Sequence, residues 1–380
     1  MTDALTVSET AHEPFASLAE LRAQGPVHRI DTPDGPPAWL VTRYAEVRAL
    51  FGDSRFALHR EHSHGRDFTG FDLPPQLDAH LLNSDPPRHT RLRREIAPSF
   101  TAQRVRALAP QVRAVADELA ASLSGEVDLV GEFAVLLPVR VIAELLPLPA
   151  DARDTFAGWA DSLLRHTPGA EPRARDTMDD MRRIIGSALS SDPPADSLLA
   201  GLLTARGAGR LDADELTSMV FYLLFVWYEI MVHAVSSAML RLLGSERLDT
   251  GVEEVLRLHP PQLLAAPRYP LHDLEIGGVS VRAGDTLLLS LASANRDERV
   301  FSEPSEFLPD RNPNPHLSLG HGTHACPAST LTRVIARCAV EALHAQHPHA
   351  APTSAPVTWR GNFRHHGPAA LRANLTRHKR

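Results

Sequence analysis

Cysteine, lysine and aromatic side chains are scarce in this 380-residue chain. Its two cysteines, Cys326 and Cys338, cannot build a disulfide framework for a chain this long, nor complete a zinc-binding quartet. Of 39 basic residues only Lys379 is a lysine, and the net charge is −7. Bulk charge therefore gives no reason to expect nucleic acid as a partner. The segment Met1 to Glu13 is polar and acidic and lacks the basic start and apolar core of a signal peptide. The most apolar run, Met219 to Met231, is too short and interrupted to span a bilayer. With 43% hydrophobic and 22% charged residues, the composition excludes a disordered or collagenous chain. A cytoplasmic globular protein without a membrane partner is expected.

Ala38 to Thr42 reads as a strand, and Tyr44 to Phe51 as a short helix carrying Ala45, Val47, Leu50 and Phe51 inward. Residues 59–84, rich in His, Gly, Asp and Pro, read as a long loop. From Pro87 to Leu243 the pattern is helical, with apolar spacings of three and four over Val105 to Leu123 and Val139 to Leu146. Asp212 to Leu243 holds no Gly or Pro, and its centre is apolar almost all round, so a helix buried through the middle is expected. After Leu263 the period falls to two, giving short strands over Asp273 to Arg282 and Asp285 to Ser290. A nonperiodic meander from Ser302 to Pro315 and a last helix, Leu331 to Gln346, complete the chain. No repeat or linker divides it. The expectation is one mainly α domain over 1–380 with a small β portion, residues 1–30 forming an N-terminal extension.

The chemistry concentrates in Leu319-Gly-His-Gly-Thr-His-Ala-Cys-Pro-Ala328. Gly320 and Gly322 permit close backbone approach, and a helix begins behind Cys326, where free N–H groups and the helix dipole favour a thiolate. Such a thiolate is a candidate axial ligand for haem iron. A lone cysteine is more often an inert core residue, and residue types alone leave both readings open. The stretch resembles the haem-binding loop of the cytochrome P450 family. Glu254-Val-Leu-Arg257 resembles the family's Glu-x-x-Arg helix, although Glu and Arg at this spacing are usually only a helix-surface pair. Asp85-Pro-Pro-Arg-His89-Thr-Arg-Leu-Arg93 resembles the helix whose His and Arg reach a haem propionate, and Arg268 and His324 match further donors. The resemblance runs colinearly from Trp39 to Arg372. It implies a P450-like fold with haem b (iron protoporphyrin IX) between the long central helix and the cysteine loop. Cys326 would be the metal ligand, and His89, Arg93, Arg268, His324, Gly320 and Gly322 would hold the cofactor.

The chain departs from that family where oxygen would be handled. The family's Ala-Gly-x-(Glu/Asp)-Thr on the central helix aligns with Val226-Trp227-Tyr228-Glu229-Ile230. The acid, Glu229, remains; Ile230 replaces the alcohol used in general acid catalysis, and Trp227 replaces the groove-forming glycine. Tyr228 and Glu229 are alternative donors. Pro327 removes an N–H that could bond the cysteine sulfur, which implies a more strongly donating thiolate. Glu306 stands where an arginine would complete the Glu254/Arg257 network, and Arg311 and Arg377 are expected to be exposed. Arg91, Arg94, Arg333 and Arg337 are expected to form a basic patch for an acidic ferredoxin. His59, His62 and His64 lack a fourth ligand at fixed spacing and read as a solvated loop rather than a metal site.

Three functions are consistent with these residues. One is a bacterial haem-thiolate oxidoreductase of specialised metabolism with atypical chemistry on a small organic molecule: oxidative coupling, cyclisation, peroxide-driven oxidation or rearrangement. Another is a conventional monooxygenase served by ferredoxin and ferredoxin reductase. The last is a non-catalytic relative that stabilises a glycosyltransferase. The substrate is not readable, because the loops at 59–84 and 164–175 carry no decipherable pattern.

Overall fold

The computed structural model describes residues 14–32, 35–64, 74–164, 178–245, 247–354, 357–361 and 364–375. Its axis is the expected central helix, built as Ala213–Phe221, a π-helical turn Tyr222–Val226 and Trp227–Leu242. Asp212 and Glu215 form a capping box at its start. In the π turn the N–H of Trp227 reaches back five residues to the carbonyl of Tyr222. The whole Ala213–Leu242 span is long and apolar enough to cross a membrane, but 78% of its most apolar window is buried inside the protein. It is a core helix.

Helices wrap this axis. Ala102–Ser122 lies against the last helix, Ser329–Gln346, and the latter also packs on Trp227–Leu242. Ala150–Leu164 contributes Phe156 and Trp159 to the core beside the central helix. Only five residues separate Trp227–Leu242 from Leu248–Leu258, the helix carrying Glu254 and Arg257. The two cross closely because residue 251 is glycine: a Cβ there would meet Leu242 Cδ2 at 2.4 Å.

The β portion is small. Val27–Thr32 pairs antiparallel with Gly35–Val41, with Val27 opposite Val41, and Leu287–Leu289 adds parallel to the latter. Leu274–Ile276 and Val279–Val281 make a hairpin turned by Gly277 and Gly278, both at positive φ (57° and 83°). Near the C-terminus Thr358–Gly361 pairs with His366–Ala370, and Arg372–Leu375 lies between Gly125–Asp128 and Ala351–Pro352. Residues 14–30 are not an extension. Pro14–Gln24 is a helix packed on Leu291–Ala294, and its Arg22 donates to Glu298, to the Ser293 carbonyl and to Ser293 Oγ.

A buried ionic network fixes the Glu254 helix. Glu254 and Arg257 are fully buried and form a bidentate pair at 2.7 Å. Arg257 also donates to the carbonyls of Asn295, Pro304 and Glu306, while Glu254 accepts from the Leu308 N–H and Asn314 Nδ2. Two expectations are corrected here. Arg311 is not exposed: its side chain is 7% exposed and donates to both Glu254 oxygens at 3.0 and 3.1 Å. It supplies the third arm sought at Glu306, which takes part through its carbonyl. The meander folds Arg311 back onto the helix because Glu254 needs a second cation once desolvated. Burial alone would raise the Glu254 pKa, but Arg257, the Leu308 N–H and Arg311 hold it below the usual carboxylate range.

Removing one side of this network should be costly. Glu254→Ala should destabilise the protein by about 3–5 kcal/mol and Arg311→Ala by roughly 1–3 kcal/mol. Arg182→Ala, an exposed pair, should cost under about 0.5 kcal/mol. Urea unfolding midpoints check the ranking, and an Arg311 variant as stable as the Arg182 variant would refute it.

Candidate functional site

The loop 319–328 lies between the Glu254 network and the last helix. Gly320 and Gly322 both sit at positive φ (73° and 67°), and a Cβ on Gly320 would come within 3.1 Å of the His324 carbonyl oxygen. Gly322 approaches the backbone of Phe51 and Gly52. A side chain at either position would strain the turn that presents Cys326. The Cys326 N–H donates to the Leu319 carbonyl at 2.8 Å. The Ala328 N–H bonds the sulfur and draws the thiol pKa down, as do Arg93 and Arg333, but burial outweighs them and pushes it up. The thiolate expected from the helix start alone is therefore not favoured until a cation arrives at the sulfur. Cys338 is buried in the core, where burial raises its thiol to about 11.

The helix Arg88–Ile96 approaches this loop with one face and the central helix with another. Arg93 donates to the carbonyls of Ala325 (2.8 Å) and Thr323 (3.2 Å). One turn earlier, His89 lies with its ring centroid 3.9 Å from that of His324. His89 is 1% exposed, and neither ring nitrogen has a hydrogen-bond partner among the described residues. Arg268 is 2% exposed; among the described residues its side chain donates only to the Ala266 and Pro267 carbonyls, and it lies over the Phe51 ring. Burial lowers its pKa to about 10, and burial, His89, Arg268 and Arg93 together lower that of His324 to about 3. Two buried ring nitrogens without partners and a buried guanidinium bonded to backbone carbonyls, with Asp85 within electrostatic reach of both, are donors of the kind an anionic group would engage.

From Ser218 to Met239 only Tyr222, Val226, Glu229 and Ile230 are not buried. Tyr222, Val226 and Ile230, four residues apart, form an open stripe on one helix face. Two expected residues are not on it. Trp227 packs edge-on against Phe100 at 5.7 Å, and Tyr228 is turned to Phe156 and Trp159. Helical rotation explains both: successive residues point about 100° apart, so neighbours of Val226 face the protein core. Trp227 is a packing residue rather than a groove filler, and Tyr228 is not a cavity donor. Glu229 pairs with His365 of the C-terminal hairpin at 3.2 Å.

Sequence reasoning missed Tyr222 and His80. The His80 ring stacks on Tyr222 at 5.4 Å and 25°, and burial depresses its pKa to about 3. Both raise the Tyr222 pKa: burial first, then the Cys326 charge, with Arg93 opposing. The only sequence signal is Tyr222 inside the apolar centre of the helix; His80 lies in a stretch that reads as a loop.

The basic patch is also corrected. Arg91 bonds Glu215 at 2.8 Å, Arg333 bonds Glu253 and Arg337 lies 3.6 Å from Glu341. Of the four, Arg94 is the one with no ionic partner among the described residues. No cluster of three or more metal-ligating side chains occurs among the described residues, His59, His62 and His64 included. Residues 65–73 and 165–177 of the two variable loops, and Arg377, lie outside the described residues.

Comparison with known proteins identifies the family and its fold. The family profile "Cytochrome P450" matches residues 246–335, which hold the Glu254 network and the cysteine loop. The vitamin D(3) 25-hydroxylase of Pseudonocardia autotrophica is 35% identical over 88% of this chain and 86% of its own length. This chain belongs to the cytochrome P450 family. The tirandamycin C-bound P450 monooxygenase TamI superposes with a TM-score of 0.88 at 32% identity, covering 97% of this chain and 99% of its own. CxnD, a cytochrome P450 for C–S bond formation in chuangxinmycin biosynthesis, superposes at 0.83 and 29% identity over 100% and 99%. The chain is thus a P450-type oxidoreductase.

Two outcomes follow for the packing. Trp227→Ala should cost about 3–5 kcal/mol, as for other buried Trp truncations; a stability within 1 kcal/mol of wild type by urea unfolding, about the surface range, would contradict the core placement. His366, which stacks on Trp359 at 4.5 Å and whose ring nitrogens have no hydrogen-bond partner among the described residues, is held near pKa 4 by burial, with Arg296 adding to the effect. Such histidines stay neutral when folded and protonate below about 6.5 when unfolded, so their stabilisation is full above that pH and is lost as pH falls toward the folded value. The haem-free protein should melt lower at about pH 5 than at about pH 7, and His366→Phe should reduce that difference. An undiminished difference would count against a neutral His366.

Proposed function

We propose that this chain is a haem-thiolate enzyme in which Cys326 holds the iron of haem b. His89, Arg93, Arg268 and His324 hold the two carboxylates, and Gly320 and Gly322 let the loop lie close. The observation that carries this reading is the coincidence near the cysteine loop of two partnerless His89 nitrogens and a buried Arg268 whose side chain bonds only backbone carbonyls among the described residues. When bound, the haem would supply an oxidising centre. The chain's own residues do the rest. Ala328 bonds the sulfur where Pro327 cannot, the Glu254 network holds the loop's surroundings rigid, and Tyr222, Val226 and Ile230 line the space for a small organic substrate.

The reaction we infer is atypical for the family and belongs to bacterial specialised metabolism. Ile230 brings no hydroxyl to the open stripe, and Glu229 is engaged by His365, so the acid–alcohol pair that delivers protons is broken. Oxidative coupling or ring formation, peroxide-driven oxidation and rearrangement depend less on that relay than hydroxylation does. The existence of a relative described for C–S bond formation supports this direction. The retained carboxylate of Glu229 favours, as a second reading, a conventional monooxygenase. Ferredoxin and its reductase would serve either redox-driven reaction in the cytoplasm. Their electrostatic steering should be weak, because Arg91, Arg333 and Arg337 already have acidic partners.

The decisive measurement is the ferrous–CO spectrum. A thiolate-type band is expected in wild type and in Cys338→Ser but not in Cys326→Ala. A wild-type protein that takes up no haem under ample supply would instead support a non-catalytic, partner-stabilising role. Product formed per NADPH consumed then separates the two enzymatic readings: poor coupling is expected, and tight coupling would establish the conventional monooxygenase.

A further inference from the structure

His365 and His366 stand side by side at the start of the second strand of the C-terminal hairpin, and strand alternation turns them to opposite faces. His365 faces the central helix. Its Nδ1 lies 3.2 Å from Glu229 and its ring stacks on His233 at 6.0 Å and 19°. Gly367 lets the strand lie this close, since a Cβ there would collide with the His233 ring. His366 faces the N-terminal helix Pro14–Gln24 instead. Its ring stacks on Trp359 at 4.5 Å, meets Phe15 edge-to-face at 5.2 Å and lies parallel to His259 at 6.5 Å. The Arg296 guanidinium sits 3.5 Å from the centroid of the same Phe15 ring, and His259 meets it edge-to-face at 6.3 Å. One end of the N-terminal helix is thus seated on a cation and two imidazoles.

That seat holds only while both imidazoles are uncharged. His259 and His366 are 3% and 1% exposed, and His259 Nδ1 and both His366 nitrogens have no partner among the described residues. His259 Nε2 accepts from Arg241 Nε at 2.8 Å, so that nitrogen carries no proton. The charged groups that face the two rings are cations: Arg241 from the central helix and Arg296 from beyond the Leu291–Ala294 helix. Among the described residues no carboxylate lies within ion-pair reach of either ring. Glu254 and Arg257, which also act on Arg296, are spent on each other, and Arg22 is spent on Glu298. Burial first, then Arg241 and Arg296, hold His259 well below the ordinary histidine range, as burial and Arg296 hold His366. The other end of the helix is anchored differently. Arg22 donates to Glu298 and Ser293, and Arg43 donates to the Arg22 carbonyl. Glu298 is kept below the usual carboxylate range by its own backbone N–H and by Arg22, so this anchor survives mild acid.

We propose that the hairpin is an acid-sensitive latch: charging His366 and His259 lifts the Phe15 end of the Pro14–Gln24 helix, which pivots on Arg22, while the His365 face stays on Glu229. Acid acts oppositely on the two faces, because an imidazolium is attracted by the Glu229 carboxylate and repelled by Arg296 and Arg241. Lifting that end uncovers Leu263, Leu264 and Leu288, the apolar layer on which Phe15 and Leu18 pack. The Leu263 N–H donates to the Arg364 carbonyl, next to His365. The latch therefore reaches the backbone that carries the partner of Glu229.

Hydrogen exchange read by mass spectrometry on the purified protein tests the latch, with rates corrected for the chemical pH dependence of amide exchange. A histidine kept neutral by burial contributes stability that is full above about pH 6.5 and lost as pH falls toward its folded value. Between about pH 7.5 and about pH 5.5 each such histidine raises the open population about tenfold. Exchange of Pro14–Gln24 should accelerate by up to about a hundredfold in wild type, and about tenfold less in His366→Phe, which keeps the ring but not the charge. The core helix Ser329–Gln346 and the strand His366–Ala370 should show no such acceleration. No acceleration of Pro14–Gln24 in wild type, or an equal one in His366→Phe, would overturn the latch. Equal acceleration of the core helix would assign the opening to global unfolding, and equal acceleration of the strand would assign it to the hairpin; either result overturns it too.

Discussion

A guanidinium that is 2% exposed and bonds only backbone carbonyls among the described residues is an expensive object to keep inside a protein. Arg268 is such an object, and the structure is arranged around it. The segment at Arg268 (bridged to Leu287), the Arg88–Ile96 helix and the cysteine loop each bring a donor to the same region, and of these Arg93 finds acceptors there, in the Thr323 and Ala325 carbonyls. Burial keeps His89 and His324 toward their neutral forms, so Arg268 is the cationic member of an acceptor-poor cluster. Binding of an anion there would couple to the folding of three separate segments, in the way a structural metal couples to its ligands.

The Glu254 network is the opposite case. Glu254, Arg257 and Arg311 are just as buried, but every charge meets another or a backbone carbonyl. Such a network needs no ligand and makes its region stiff. The cysteine loop therefore lies between a self-sufficient frame on one side and the acceptor-poor cluster of His89, His324 and Arg268 on the other.

Much of this was legible in the sequence because it is local. Gly320, Gly322 and Cys326 lie in one short loop, and Glu254 and Arg257 in one helical turn. The missing hydroxyl at Ile230 could also be read directly. What escaped depends on distant segments meeting. Arg311 seemed exposed because its meander has no period, and only the fold brings it to Glu254. Arg91 seemed part of a basic patch until Glu215, over a hundred residues away, proved to bind it. Trp227 and Tyr228 seemed to face the cavity because a linear motif does not say which way a helix is turned. For the same reason Tyr222 and His80, separated by more than a hundred residues, gave no sign of forming a pair.

The π turn also has an evolutionary side. An inserted residue inside a helix rotates everything on one side of it by about 100° relative to the other. Upstream of Tyr222 the helix is tied down by Glu215 to Arg88 and Arg91, and downstream by its close crossing at Gly251. Neither anchored end can turn to follow a change at the middle. Deleting or moving the extra residue would thus exchange which side chains meet the ligand while leaving the scaffold in place. The segment behaves like a dial between two clamps, a means by which a lineage could change its chemistry in one mutational step without rebuilding its core.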